Sequence, residues 1–454
     1  SIIIPEGVTS IGDDAFSFCR SLESVTIPDS VTSIGNSSFS YNPALVSFTF
    51  EEGTLIKSFG SSLISDCPLI ETFTVPKTVT TIGSSDFANC ISLKTVIFEE
   101  GSKLTTVGSS AFKASGIESI TFPEGVTTFT TAKTPKANSS NPLFQDCVNL
   151  KSVTLGSKTT FLAQQMFMGC TALETIDIPD TVTMIGVECF KNCTSLKIVN
   201  INEKSQLNTI GQNCFENSVL ESIVLPASFT KFGYCDSGTM RYKVSSNGRQ
   251  FYNCKSLKSV EFKGKLDTIC AGVFEGCEAL ESIDIPASTK IIGNSSFLDC
   301  KSLKTVNINS TGELTIGSNA FKNTAIESVT IPKGTKKIDS NAFNSCAKLT
   351  SVDFAPGTAE LTLGAGVFEN CKALTSIALP DRVTKIPNNA FRYDSALETV
   401  TFNKVTEIGN GAFNKTESLK SVTLPATLKN TDPAADLNFC GDLKLTTVNV
   451  PAGA

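Results

Sequence analysis

Apolar residues along this chain come in short bursts with a fixed internal order: Leu22, Val25 and Ile27, then Val31 and Ile34, then Phe39. Small polar residues separate them, chiefly Ser, Thr, Asp and Glu. The order returns at Leu173, Ile176, Ile178, Val182, Ile185 and Phe190, and again at Leu280, Ile283, Ile285, Ile292 and Phe297. A period of about 23 residues sustained over a whole chain is the mark of a solenoid, in which each unit buries its apolar side only against its neighbours. The usual conversion of length into a number of globular domains therefore does not apply.

Aligned on the aromatic, the units form a column of Phe16, Phe39, Ile64, Phe87, Phe112, Phe144, Phe167, Phe190, Phe215, Phe251, Phe274, Phe297, Phe321, Phe343, Phe368, Phe391, Phe413 and Phe439, which is 18 turns. Six residues after most of these comes Leu or Ile, three further on Val, Ile or Phe, and two further a third apolar residue, as in Leu150, Val153 and Leu155. The period of two at the end of this run predicts a short strand with one buried side. A second alternation follows (Val182, Ile185), and then Gly, where a corner without a Cβ fits. The segment from that Gly to the aromatic, such as Gly12-Asp13-Asp14-Ala15-Phe16, opens with residue types that suit the first turn of a short helix or 3₁₀ element.

The unit Ala15-Phe16, Cys19, Leu22, Val25, Ile27-Pro28, Val31 and Ile34-Gly35 resembles that of the BspA-like class of leucine-rich repeat proteins, and the resemblance runs from end to end. It implies a right-handed, β-rich leucine-rich repeat solenoid of about 18 turns with a parallel sheet on its concave face. One departure from the general leucine-rich pattern is that Pro or a polar residue stands where an Asn ladder follows the third apolar position. On this reading residues 1–454 are a single solenoid, a curved rod of about 85 Å along the stack. Ile4-Pro5 and Val450-Pro451 place both ends inside a repeat, so the chain reads as a fragment of a longer one.

A two-turn period lies over the first. Turns ending the first strand in Pro (Pro28, Pro76, Pro123, Pro179) alternate with turns that have Glu51, Glu99, Gly156 or Asn202 there. The position after the leading Leu alternates in charge through Glu71, Lys94, Glu118, Lys151, Glu174, Lys197, Glu221, Lys258, Glu281, Lys304 and Glu327. Stacked about 4.8 Å apart, these side chains form one line of opposite charges that favours the correct register.

Eleven of the 16 cysteines fall three residues after the aromatic, and the other turns hold Asn42, Ser115, Ser218, Thr324, Asp394, Thr416 or Asp442 in that slot. Small polar substitutes fit a side chain bonded to backbone rather than one that must meet a second sulfur. Parallel Cβ directions in stacked turns also disfavour bridging. The column is therefore expected to be free buried thiols, with bridges left open chiefly among Cys189, Cys214, Cys235, Cys270 and Cys440. No Cys-x-x-Cys pair occurs, and no metal or cofactor site is expected.

The chain has no His and no Trp. That excludes Ser-His and Cys-His nucleophilic pairs and His-containing zinc sets, and no catalytic residue stands out. A net charge of −6 without any basic block offers no footprint for nucleic acid, and no apolar run is long enough to span a membrane.

Two turns are long, with insertions at about 130–143 and 234–250 that leave from the same side of the solenoid. The second holds Tyr234, Arg241, Tyr242 and Arg249, residue types that dominate protein–protein hot spots. The outward strand positions are mostly Ser and Thr, interrupted by Asp177, Glu261 and Asp284, which complete the candidate binding residues. The family resemblance implies a non-catalytic adhesion module, at the cell surface or secreted, whose partner is a protein of the extracellular matrix or of a host cell. The second reading is a structural scaffold segment of a larger assembly, and the oligomeric state is left open.

Overall fold

The computed structural model describes residues 1–129, 141–233, 248–431, 439, 441–442 and 444–452. They form about 18 turns of parallel β-solenoid, in two compact units, Ser1–Leu220 and Glu221–Ala454. Within each unit the period-two apolar runs become strands of three or four residues. Thr175–Ile178 pairs in parallel with Ile198–Ile201, joining Ile176 to Val199 and Asp177 to Asn200. In the second unit Ser282–Ile285 pairs with Thr305–Ile308, and Ser328–Ile331 with Ser351–Phe354. Alternate side chains point to opposite faces of a strand, so Ile176 and Ile178 are buried while Thr175 and Asp177 are exposed.

The second alternation forms a second parallel ladder on another side of the turn. Phe161–Leu162, Met184–Ile185 and Thr209–Ile210 follow one another in the first unit. Thr268–Ile269, Ile291–Ile292, Leu314–Ile316 and Thr335–Ile338 do so in the second.

The third side corrects the expectation of helical corners: no described residue lies in a helix. Two left-handed residues bracket the aromatic instead, one two positions before it and one two after, as Glu188 (φ 54°) and Asn192 (φ 61°) bracket Phe190. Ser295 and Asp299 do the same around Phe297, and Asn319 and Asn323 around Phe321. This backbone turns alternate N–H groups along the stack, while those of Lys191 and Cys193 bond within the turn, to Glu188 and Phe190. Glu188, Phe190 and Asn192 donate to the carbonyls of Gln212, Cys214 and Glu216 at 2.8–2.9 Å. These amides, which a helix would use internally, are thereby committed to the next turn. Asn, Asp and Gly, which tolerate positive φ best, recur in these two positions.

The aromatic column is the spine of the core. Phe167 and Phe190 stack with centroids 5.1 Å apart and planes at 2°, and Phe190 and Phe215 at 5.4 Å and 1°. In the second unit Phe274, Phe297 and Phe321 continue at 5.3 and 5.2 Å. All six rings are buried. The corner Gly lets neighbouring backbones touch: a Cβ on Gly60 would lie 2.3 Å from the carbonyl carbon of Gly35.

Of the alternating charge row, Lys94–Glu71 and Lys151–Glu118 form ion pairs at 3.8 and 3.0 Å. Further along, Lys197 and Lys304 are tied to Glu174 and Glu281 by backbone hydrogen bonds of 2.9 Å.

Candidate binding surface

Three sides of each turn give three kinds of outer surface, and the described candidate residues fall on two of them. Asp177 and Asp284 occupy the middle outward position of their strands. Each is met by the residue stacked beside it: Asn200 donates to Asp177 Oδ1, and Asn307 to Asp284 Oδ1, both at 2.7 Å. Thr26 and Thr49 make the corresponding contact at 3.1 Å. Glu261 lies in the same column as Asp284 and is paired with Lys263 at 2.5 Å. The outer row is thus a ladder of side chains that hold one another upright, which lowers the entropy cost of presenting them to a partner.

In the first unit the row borders a shallow groove of about 490 Å³, lined by Glu124, Thr154, Asp177, Asp180, Asn200 and Asn202 among others. Pro179 and the buried Leu155 and Ile178 contribute apolar surface to it. Ser157 donates to the Glu124 carboxylate through its hydroxyl at 2.8 Å and its amide at 3.4 Å, and these bonds hold that carboxyl below its usual range. The groove can accept hydrogen bonds and positive charge.

Arg249 is placed elsewhere, at a corner, with φ 47°. Its guanidinium lies over the Tyr252 ring at 4.6 Å and its Nη2 is 3.3 Å from Glu275, so it is engaged within its own unit. Tyr234, Arg241 and Tyr242 lie outside the described residues, as do 130–140 of the first insertion.

The cysteine column is a column of donors. Cys170 and Cys193 in the first unit, and Cys277 and Cys300 in the second, each donate a thiol to the carbonyl of the preceding aromatic, at 3.1–3.2 Å. The 14 described cysteines, Cys189, Cys214 and Cys270 among them, are thiols outside any disulfide. Burial pushes the thiols of Cys67, Cys147 and Cys193 up to about 12, so they are neutral and poor nucleophiles at physiological pH. Among the described residues no group of three or more His, Cys, Asp or Glu is arranged to hold a metal ion. The described residues hold no helix long and apolar enough to cross a membrane.

Two features lay outside the sequence reading. An Asn and Asp ladder runs along the corner two residues after the aromatic: Asn89 donates to Asp66 at 2.9 Å, Asn217 to Asn192 at 2.8 Å and Asn323 to Asp299 at 2.6 Å. Its signal was present, because Asn, Asp and Gly recur at that offset. Arg382 is buried and donates to the carbonyls of Thr335 and Pro332, at 2.7 and 3.2 Å. A single Arg in a Ser/Thr slot carries no periodic signal.

A family model and a solved structure agree with this architecture. A family model described as BspA type leucine-rich repeat region (6 copies) matches residues 1–102, 139–235, 245–315 and 314–444. A leucine-rich repeat protein from Bacteroides ovatus is similar in structure, with 24% identity over 97% of this chain and 88% of its own, at a TM-score of 0.50. One from Eubacterium ventriosum shares 21% identity over 81% of each chain, at a TM-score of 0.41. A leucine-rich cell surface protein from Faecalibacterium prausnitzii shares 19% over 96% of this chain and 89% of its own, at 0.31. No curated protein matches the sequence.

Proposed function

Because the chain belongs to the BspA-type leucine-rich repeat family, a family of protein-interaction repeats, we propose that it is a non-catalytic adhesion module. It works at the cell surface or after secretion, and it binds a protein of the extracellular matrix or of a host cell. The observation that carries this reading is the outer row of the sheet. Its polar side chains, Asp177 with Asn200 and Asp284 with Asn307, are paired with one another and still open to solvent. A surface of this kind is rigid, broad and polar, which suits recognition of another macromolecule and lacks an enclosed reaction site. The reading rests on the family for its biological setting and on the row for its mechanism.

The test is binding of the purified chain to immobilised fibronectin, fibrinogen and intact host cells, compared with Asp177→Lys, Asp284→Lys and a chain lacking 234–250. Tenfold or greater weakening by either charge reversal supports the sheet face. Binding lost only with 234–250 moves the site to that insertion, and no binding to any of the three removes the adhesion reading.

A further inference from the structure

The slot three residues after the aromatic holds Asn42, Asp394 and Asp442 in three turns where others carry Cys, Ser or Thr. Asn42 shows how a planar side chain fills it. Its Oδ1 accepts the backbone N–H of Cys19 at 2.7 Å, and its Nδ2 donates to the carbonyls of Phe16 and Phe39 at 3.0 and 2.8 Å. Asp394 makes the same first contact, accepting the N–H of Cys371 through Oδ1 at 2.7 Å, and Asp442 does so from Thr416 at 2.7 Å. In both, Oδ2 is buried and has no hydrogen-bond partner among the described residues.

By the repeat geometry, Asp394 Oδ2 takes the place of the Asn42 amide nitrogen, between the carbonyls of Phe368 and Phe391. A carboxylate oxygen there meets only lone pairs. A carboxylic O–H donates to them, as the Cys346 and Cys371 thiols donate to Phe321 and Phe343 at 3.1 and 3.3 Å. We propose that Asp394 is a proton-gated clasp: as a neutral acid it ties its turn to the preceding one by accepting through Oδ1 and donating through Oδ2, and loss of the proton opens the tie.

The surroundings favour the neutral form. Asp394 is fully buried, and burial holds its carboxyl well above the usual range. Glu369 of the preceding turn adds repulsion and is itself 3.7 Å from Arg392. The other titratable neighbours, Cys346 and Cys371, are thiols raised by their own burial, Cys346 to about 11. Thr416 fills the slot in the following turn and is uncharged. Asp442 repeats the arrangement at lower burial, with its carboxyl pushed up to about 6.

The clasp lies beneath a surface groove of about 610 Å³, whose walls include Asn370, Lys372, Tyr393 and Ser395, the sequence neighbours of Cys371 and Asp394. The state of the proton therefore sets how firmly those walls are held. An acid with a higher pKa folded than unfolded favours the folded state at low pH, so the clasp is closed in acid and opens as pH rises through its folded pKa.

Hydrogen exchange by mass spectrometry on the intact chain at pH 5 and pH 8, corrected for intrinsic exchange, reads this locally. In the wild type, peptides covering Cys371 and Asp394 are expected to exchange at least tenfold faster at pH 8, while those covering Asn42 do not change. Asp394→Asn is expected to keep the slow rate at both pH values. Equal wild-type protection at both, or a variant as fast as wild type at pH 8, overturns the clasp. A readout free of mutation is the carbon resonance of the Asp394 carboxyl: a protonated-range shift at pH 6 agrees, and an ionised one at pH 5 contradicts.

Discussion

The Cys193 thiol donates to the carbonyl oxygen of Phe167, 3.1 Å away and one full turn back along the chain. That carbonyl also accepts the Cys170 amide at 3.1 Å, so removing the thiol takes away its second donor and opens a small void. Cys193→Ala is expected to cost about 1–2 kcal/mol. Cys193→Ser, which keeps a donor, is expected to cost less than half as much. Urea unfolding of the two variants beside wild type makes the comparison.

Thiol chemistry follows from the same column. With Cys67, Cys147 and Cys193 held near 12 by burial, an aromatic disulfide reagent at pH 8 is expected to react with the buried set only as the chain unfolds. The measurement is the release rate with and without denaturant. Rapid release from folded protein would show the column to be open to solvent.

Backbone contact at the Gly corner predicts a contrast between two similar substitutions. A Cβ on Gly60 would sit 2.3 and 2.4 Å from the carbonyl carbon and oxygen of Gly35, whereas one on Gly12 meets nothing within 4 Å. Gly60→Ala is expected to destabilise by about 3 kcal/mol or more, since the stacked backbones cannot part locally. Gly12→Ala is expected to be neutral or to stabilise by up to about 1 kcal/mol. Thermal or urea midpoints distinguish them.

Asp86 gives a pH dependence within the first unit. It fills the slot just before Phe87, accepts N–H groups from Gly83 at 2.6 Å and Leu63 at 3.2 Å, and is driven by burial to about 7. A carboxyl raised on folding contributes its stability fully below the unfolded pKa near 4 and loses it as pH climbs to about 7. Stability should therefore fall from pH 5 to pH 8. Asp86→Ser, the residue found in that slot at Ser38 and Ser296, is expected to reduce the fall, as read from urea midpoints at both pH values.

The parts of the fold legible in the sequence are those set by side-chain burial. Phe167, Phe190 and Phe215 stack in one interior column, and the strand pairs hold the one-turn register that the period implies. The corners are not legible, because Asp, Asn and Ser serve two conformations: the same residues that cap a helix also tolerate left-handed backbone. Only the direction of the amides decides between them, and those of Glu188, Phe190 and Asn192 point to the next turn. The outward placement of Asp177 and Asp284 is legible from the period of two; their pairing with Asn200 and Asn307 depends on stacking that a single turn does not reveal. Residue type alone singles out Arg249, and its contacts with Glu275 and Tyr252 come from local geometry.

The fold depends on turns being interchangeable in register, and removing turns tests that directly. Deleting residues 274–320 takes out one complete pair and sets Phe321 in the place of Phe274, so that it stacks on Phe251 and the two-turn alternation is kept. The expected result is a folded chain with unchanged far-ultraviolet circular dichroism per residue, a cooperative urea transition and buried thiols. Loss of cooperative unfolding with immediate thiol exposure would contradict the account, because it would mean that each turn packs in a place of its own.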